Sequence, residues 1–314
     1  MRISVIIPVY NSASLIPRLV ASVMSALIDS HEVEIILVND GSDDDSSAVC
    51  QEVAENNREI VAIDLSFNFG EHNAVMAGLN YCSGSAAVII DDDFQNPPSE
   101  IIKLIDELVK GYDVVYSCYE QKKHNFFRNL GSRFNNISAG LLIKKKKGIY
   151  LSSFKAINRF VIDEIIKYRG PYPYIDGLIM QATRNIGIVT VKHDKRVEGR
   201  SGYTLTKLIH LWLNMFTNFS ILPLRASMIL GFITAATGLV ATVFFTLEKI
   251  NNPDLPVGWA SIIVVLLLVS GVQLIAIGMV GEYLGRLFLI VNRKPQYIIR
   301  KIIKAEENES KGNS

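Results

Sequence analysis

Two stretches near the C-terminal end constrain this chain most. Ala226–Leu247 has no charged residue over 22 positions, and Trp259–Gly281 has none over 23. About 20 helical residues cross the roughly 30 Å hydrocarbon core of a bilayer. Each stretch is therefore predicted as a transmembrane helix, the alternative being a buried core hairpin. The loop between them, Glu248–Gly258, carries Glu248, Lys249 and Asp254. Arg225 flanks one side, and Arg286, Arg293, Lys294, Arg300 and Lys301 the other. The positive flanks predict cytoplasmic ends and an outer loop. Hydrophobic residues make up 49% of the chain, with the excess concentrated after residue 225, so the rest must fold as an ordinary domain. A net charge of +1 gives no basic field for nucleic acid.

Before that region two periodicities alternate. Short apolar runs at Ile3–Val9, Glu34–Val38, Ile60–Leu65, Ala86–Ile90 and Asp113–Ser117 read as strands. Helical spacing separates them: Leu15, Leu19, Val23 and Leu27, then Asp44–Asn56, Glu71–Asn80 and Ser99–Lys110. This order predicts an α/β domain with a mostly parallel sheet and helices on both faces. In such sheets ligands bind beyond the carboxyl ends of the strands. The polar clusters at 39–44, 67–72 and 91–96 fall at those ends and make one rim.

Two further segments are amphipathic. Phe126, Phe127, Leu130, Phe134, Ile137 and Leu141 recur at helical spacing before the run Lys144–Lys147. This pattern fits a helix lying on an anionic membrane surface, or equally a helix packed on the sheet with a solvated lysine loop. Leu205, Leu208, Ile209, Trp212, Met215, Phe216 and Phe219 give 203–221 a broad apolar face. The expected organisation is a catalytic domain over 1–200, an interface helix over 201–224, two transmembrane helices within 225–285, and a basic, then polar tail over 286–314. With no signal peptide at its start, the catalytic domain is expected in the cytosol.

The chemistry concentrates after the fourth strand. If the strand direction persists, Asp91, Asp93 and Gln95 share one side and Asp92 is spare. Two carboxylates and an amide oxygen suit Mg²⁺ or Mn²⁺, and such a cation can bridge diphosphate oxygens. A solvated acidic loop is the plainer reading of the triplet alone. Asp40, with Gly41 and Ser42, can offer a carboxylate to a base or ribose, or simply cap the following helix. The three cysteines, Cys50, Cys82 and Cys118, have no metal-site spacing and read as buried thiols.

These segments resemble glycosyltransferase family 2, with a GT-A fold. The resemblance rests on Ser4–Asn11, Val38–Ser42, Asn68-Phe69-Gly70 and Asp91–Pro98. Arg196–Tyr203, Pro223-Leu224-Arg225, Gly281–Arg286, Pro295 and Tyr297 narrow it to the polyprenyl-phosphate glycosyltransferases. It implies that Pro8 and Tyr10 line a nucleotide pocket and that Asp40 contacts the base. Asp91 and Asp93 would bind metal and diphosphate, with Gln95 as a further ligand. Arg196 and Ser201 would lie near the phosphates, and Arg128, Arg133 and Arg196 would meet an acceptor lipid phosphate. Several positions depart from the family pattern. Ser12 stands for the usual Glu, Asn39 for Asp, Phe67 for Arg and Gly202 for Lys; Ile149 and Tyr150 occupy a region that usually holds an Asp.

The implied reaction is an inverting, metal-dependent transfer from a nucleoside-diphosphate sugar, UDP-linked by preference, to undecaprenyl phosphate at the inner face of the cytoplasmic membrane. A homo-oligomer is also expected. The alternatives are a transferase acting on another lipid or glycan, which the absence of a QxxRW-type motif disfavours, and a membrane subunit that binds nucleotide-sugar without turnover.

Overall fold

The computed structural model describes residues 1–119, 151–194, 222–252, 258–292 and 294–305. By its contacts the chain forms two compact units, Met1–Ile209 with Arg293–Ser314, and His210–Asn292.

The first unit is built on β1 (Arg2–Val9), α1 (Ile16–Leu27), β2 (Glu32–Asn39), α2 (Ser46–Asn56), β3 (Ile60–Leu65), α3 (Glu71–Tyr81) and β4 (Ala86–Ile89). A single 3-10 turn, Pro98–Glu100, leads into α4 (Ile101–Val109) and β5 (Val114–Tyr119). Beyond residue 150 come β6 (Lys155–Asn158), α5 (Arg159–Ile165), α6 (Ile175–Ala182) and β7 (Ile186–Val191). The eight-stranded sheet has the order β7-β5-β6-β4-β1-β2-β3-β8, where β8 is Ile299–Lys304. Strands β1 to β4 run parallel, as do β5 and β7. Strand β6 is antiparallel to β4 and β5, and β8 to β3. The expected mostly parallel α/β architecture is therefore present.

Strand alternation sorts the core into two faces. Ile3, Val5, Ile7 and Val9 join Ile35 and Leu37 in one cluster with α1, α2 and α4, through Leu19, Val23, Cys50, Ala54 and Leu104. The opposite face receives α3. There Gly78 lies so close that an added Cβ would stand 2.5 Å from Ile6 Cγ2 and 3.4 Å from Val38 Cγ2. Pro8 is tolerated in the central strand for a local reason. The Ile6 carbonyl accepts from Ile90 N–H, so even positions of β1 face β4, and that ladder ends at Ile6–Ile89. Proline's missing N–H therefore costs no ladder bond. Cys50 and Cys82 are buried, Cys118 is half-buried, and all three are free. Burial pushes the Cys50 thiol up to about 12, which leaves it protonated and inert.

The C-terminal segment departs from the sequence reading. Within the expected tail, Ile299–Lys304 forms an edge strand of the eight-stranded sheet. Ile303 is 7% exposed and belongs to the core, whereas Ile302 faces outward at 39%. Its short Ile-Arg-Lys-Ile-Ile-Lys run hides a half-buried strand behind a basic composition. Arg300 Nη2 donates to the Ser66 carbonyl at 2.9 Å, and Lys301 Nζ to Gln51 Oε1 at 3.1 Å.

The second unit consists of α7 (Leu222–Asn251) and α8 (Trp259–Val291), which pack on each other. Among the described residues one segment, Val269–Leu289, is long and apolar enough to cross a membrane. None of its most apolar window is buried. Ser227–Val240 is a shorter apolar stretch. The two segments expected to be amphipathic, 124–147 and 203–221, lie outside the described residues.

The β8 pairing predicts a sharp contrast. Ile303→Ala should cost about 2 kcal/mol or more and lower the thermal midpoint of the catalytic unit by roughly 5 °C. Ile302→Ala should leave it nearly unchanged. Thermal unfolding of the two variants in detergent, followed by tryptophan-independent circular dichroism, checks this.

Candidate active site

Strands β4, β1, β2 and β3 lie side by side and parallel, so the loops that follow them meet on one rim. Tyr10–Leu15, Asp40–Asp45, Ser66–Gly70 and Ile90–Pro97 are those loops. Hydrogen bonds lace them together. Asn11 N–H donates to Ser42 Oγ at 3.0 Å, and Asp43 N–H to Asn11 Oδ1 at 2.8 Å. Ser12 N–H donates to Ser46 Oγ at 3.0 Å. At Gly41, φ is +60°, and an added Cβ would stand 2.4 Å from the Phe67 carbonyl carbon. Only glycine allows the β2 and β3 loops to approach this closely.

Asp40 is buried, and both its oxygens are occupied. Phe69 N–H donates to Oδ1 at 2.7 Å and Gly70 N–H to Oδ2 at 2.8 Å. Burial nonetheless raises its carboxyl above the ordinary range. The residue thus braces the β3 loop, and Asp45 stands at the cap of the helix that follows. Asn39 also has a structural reason. Its Nδ2 donates to Asp64 Oδ1 at 2.6 Å, and its Oδ1 accepts from Ser42 Oγ at 2.6 Å. An aspartate at 39 would set two carboxylates against each other, so the departure at 39 is matched by Asp64. Phe67 is 56% exposed, its ring stacked on Phe69 with centroids 3.9 Å apart. Tyr10 is 47% exposed on the same rim.

The aspartate triplet does not continue the strand. β4 ends at Ile89 and the chain turns at Asp92-Asp93. Phe94 takes φ +59°, a strained value for a bulky side chain. Its ring lies under the Arg18 guanidinium of α1, 4.9 Å from the centroid. The alternation argument for Asp91, Asp93 and Gln95 therefore has no strand to act on. Asp92 is not spare either: its Oδ2 accepts from Tyr10 N–H at 3.1 Å and from Ser12 Oγ at 2.5 Å. Asp91 Oδ2 accepts from Ser153 Oγ at 2.6 Å. Asp93 is 6% exposed, and Gln95 N–H donates to its Oδ1 at 3.0 Å.

The charge here is crowded. Burial, then Glu71 at the start of α3, pushes the Asp91 carboxyl up to about 7. Burial also raises Asp92. Glu71 is exposed at the start of α3, and its carboxyl is raised by the protein packed around it and by the neighbouring carboxylates. Lys155 provides the opposing charge. It stands opposite Ile89 in the β4–β6 ladder, is 3% exposed, and pairs with Asp176 of α6, which also accepts from Tyr116 Oη at 2.8 Å. His72 meets Tyr174 edge-on at 5.3 Å, and burial holds its imidazole down at about 4.

A divalent cation fits this turn by chemistry. The available donors are hard oxygens, and the carboxylates resist ionising together, which a cation relieves. Among the described residues no group of three or more His, Cys, Asp and Glu side chains could hold a metal by itself. A cation here would therefore draw part of its coordination from a bound phosphate. Arg128, Arg133, Arg196, Ser201 and Gly202, with Ile149 and Tyr150, lie outside the described residues. The sequence reading missed Ser153, Glu71, Lys155 and Asp176. The one available signal was Lys155 itself, a lone cation inside the apolar run Phe154–Ile157.

An acidic turn at the carboxyl rim of a parallel sheet defines a class, and comparison with known proteins agrees. The profile of glycosyl transferase family 2 matches residues 4–166, and the chain belongs to that family. It is 33% identical over 313 residues to the undecaprenyl-phosphate 4-deoxy-4-formamido-L-arabinose transferase of Yersinia enterocolitica, covering 98% of this chain and 96% of the relative. The proteins of the same name from Serratia proteamaculans and Enterobacter sp. are 32% and 33% identical over 313 and 310 residues. They cover 98% and 96% of this chain, and 96% and 94% of their own lengths. Among solved structures, glucosyl-3-phosphoglycerate synthase from Mycobacterium tuberculosis, with Mn²⁺, uridine diphosphate and phosphoglyceric acid, shares the fold. Its TM-score is 0.50 at 20% identity, over 67% of this chain and 74% of that one. The chain is a glycosyltransferase with a GT-A-like fold.

Two outcomes follow from the buried groups. Lys155→Met leaves Asp176 buried and unpaired and should cost about 3–5 kcal/mol; adding Asp176→Leu should recover most of it, read as thermal midpoints. An unfolded His72 gains its proton near the ordinary 6.5, whereas the folded one resists until about 4. Its contribution is present above pH 6.5 and lost as pH falls towards 4. His72→Gln should flatten stability over that window in a pH series of thermal midpoints.

Proposed function

We propose that this glycosyltransferase moves a sugar from a nucleoside diphosphate, UDP by preference, to a polyprenyl phosphate, undecaprenyl phosphate first among them. The observation that carries the reading is the crowded acidic turn at Asp91–Asp93, buried at Asp93 and half-buried at Asp91 and Asp92, whose repulsion a cation and a diphosphate would resolve. The nearly full-length likeness to undecaprenyl-phosphate transferases supports the acceptor. Asp91 and Asp93, with Gln95, would hold Mg²⁺ or Mn²⁺, which neutralises charge on the departing diphosphate. Pro8 and Tyr10 would line the nucleoside pocket, with Asp40 shaping it through the loop it braces. Arg196 and Ser201 would reach the donor phosphates, and Arg128, Arg133 and Arg196 the acceptor.

The acceptor phosphate oxygen attacks the anomeric carbon as the bond from that carbon to the diphosphate oxygen breaks. The nucleoside diphosphate leaves, and the anomeric centre inverts. The attacking oxygen is already anionic near neutral pH, so no strong general base is required. Positioning and electrostatic stabilisation carry the rate.

The two uncharged stretches and their basic flanks support the membrane reading, with two crossings and both ends in the cytosol. Uncovered apolar side chains such as Phe232, Leu239, Leu274 and Ile277, each 67–70% exposed, would face lipid. A cysteine at Asn252 should then label from outside the membrane and one at Ser314 only after permeabilisation. The reverse pattern overturns the topology.

Asp93→Ala should lower transfer roughly a hundredfold or more with the fold retained, and excess chelator should abolish transfer by the native chain. The assay is a panel of labelled UDP-, GDP- and dTDP-sugars with undecaprenyl phosphate in membranes, with and without Mn²⁺. The panel includes the 4-deoxy-4-formamido-L-arabinosyl donor. Full activity of the variant, or in chelator, would sink the metal assignment.

A further inference from the structure

Two of the three carboxylates in the acidic turn are held by serine hydroxyls, and the two serines come from opposite sides of the rim. Ser153 approaches from the β6 side. The β4–β6 ladder pairs Ile89 with Lys155. Two residues further along, Asp91 comes opposite Ser153, whose hydroxyl donates to Asp91 Oδ2 at 2.6 Å. Asp91 Oδ1 has no hydrogen-bond partner among the described residues. Ser12 approaches from the β1 side. Its hydroxyl donates to Asp92 Oδ2, which Tyr10 N–H also reaches at 3.1 Å. A glutamate at 12 would instead set a second carboxylate against Asp92.

We propose that Ser153 and Ser12 are positioning residues with separate tasks: Ser153 aims Asp91 at the divalent cation, and Ser12, through Asp92, ties the nucleoside loop to the acidic turn. The inference rests on the metal reading above. A hydroxyl bonded to one carboxylate oxygen stops rotation about the Cβ–Cγ bond and leaves the other oxygen facing outward. Groups that orient a ligand in this way are worth about tenfold to a hundredfold in metal affinity or activity when removed. Asp92 binds no cation in this scheme. Its bonds to Tyr10 and Ser12 fix the distance between the pocket at Tyr10 and the turn that holds the diphosphate.

The test uses the full-length protein in detergent and reads binding apart from turnover. Mn²⁺ binding is followed by electron paramagnetic resonance at saturating UDP, and UDP binding by calorimetry at saturating Mn²⁺. Ser153→Ala should weaken Mn²⁺ by about tenfold or more, and Ser153→Thr, which keeps the hydroxyl, should restore it. Ser12→Ala should weaken UDP severalfold while leaving Mn²⁺ affinity within twofold, with Ser12→Thr again restoring it. Thermal midpoints accompany each measurement. A Ser153→Ala protein that melts lower yet binds Mn²⁺ like the native chain makes that serine structural and overturns its half of the proposal. Unchanged UDP affinity in Ser12→Ala overturns the other half. A native chain that binds no Mn²⁺ defeats the metal reading itself, a result separable from either.

Discussion

Repulsion among carboxylates is the constraint around which this site is organised. Asp91, Asp92, Asp93 and Glu71 are electrostatic neighbours, and the surrounding protein disfavours charge on each of the first two and on Glu71. Left alone, such a group would protonate or push the loop apart. The fold counters with donors placed around the turn. Ser153, Ser12 and the Tyr10 and Gln95 amides take up individual oxygens, and Lys155 sets a buried positive charge nearby. Phe94, held at φ +59° under Arg18, keeps the turn tight where an unconstrained chain would relax. Positive φ recurs on the same rim at Asn11, where φ is +53°.

The same economy explains two departures from the family pattern. Asn39 donates to Asp64 where an aspartate would repel it, and Ser12 donates to Asp92 where a glutamate would repel it. Each substitution removes a negative charge directly beside another carboxylate. The donors reorganise while the net crowding of the turn is held in check. Asp40, buried beneath the rim, is satisfied by two backbone amides, which makes it a brace between the β2 and β3 loops.

Strand β8 covers β3 at the end of the sheet. Without it β3 would be an open sheet edge, a liability for pairing with other chains. The basic residues of this strand serve as edge protection, and Arg300 and Lys301 hydrogen-bond to the β3 loop and to α2. An edge strand rich in lysine and arginine is poorly visible in composition, because its buried positions are few and alternate with charge.

Much of the architecture was legible in local patterns. The first five strands and four helices fall within a few residues of their periodicity-based limits, since each buries a face whose spacing is set by its own backbone geometry. The rim position of the acidic triplet was readable for the same reason: parallel order places the loops after β1 to β4 together. What the sequence could not decide was which atoms meet across it. Ser153 stands 62 positions from Asp91, Lys155 lies 21 from Asp176, and β8 pairs with a strand more than 230 residues earlier. Those contacts depend on the packing of distant segments, and no local periodicity encodes them. Sequence alone determined that an acidic turn would end a parallel strand in a chain bearing long apolar helices. Tertiary structure decided that the turn breaks the strand, that Asp92 is bonded rather than spare, and which hydroxyls and which lysine make so much buried negative charge tolerable.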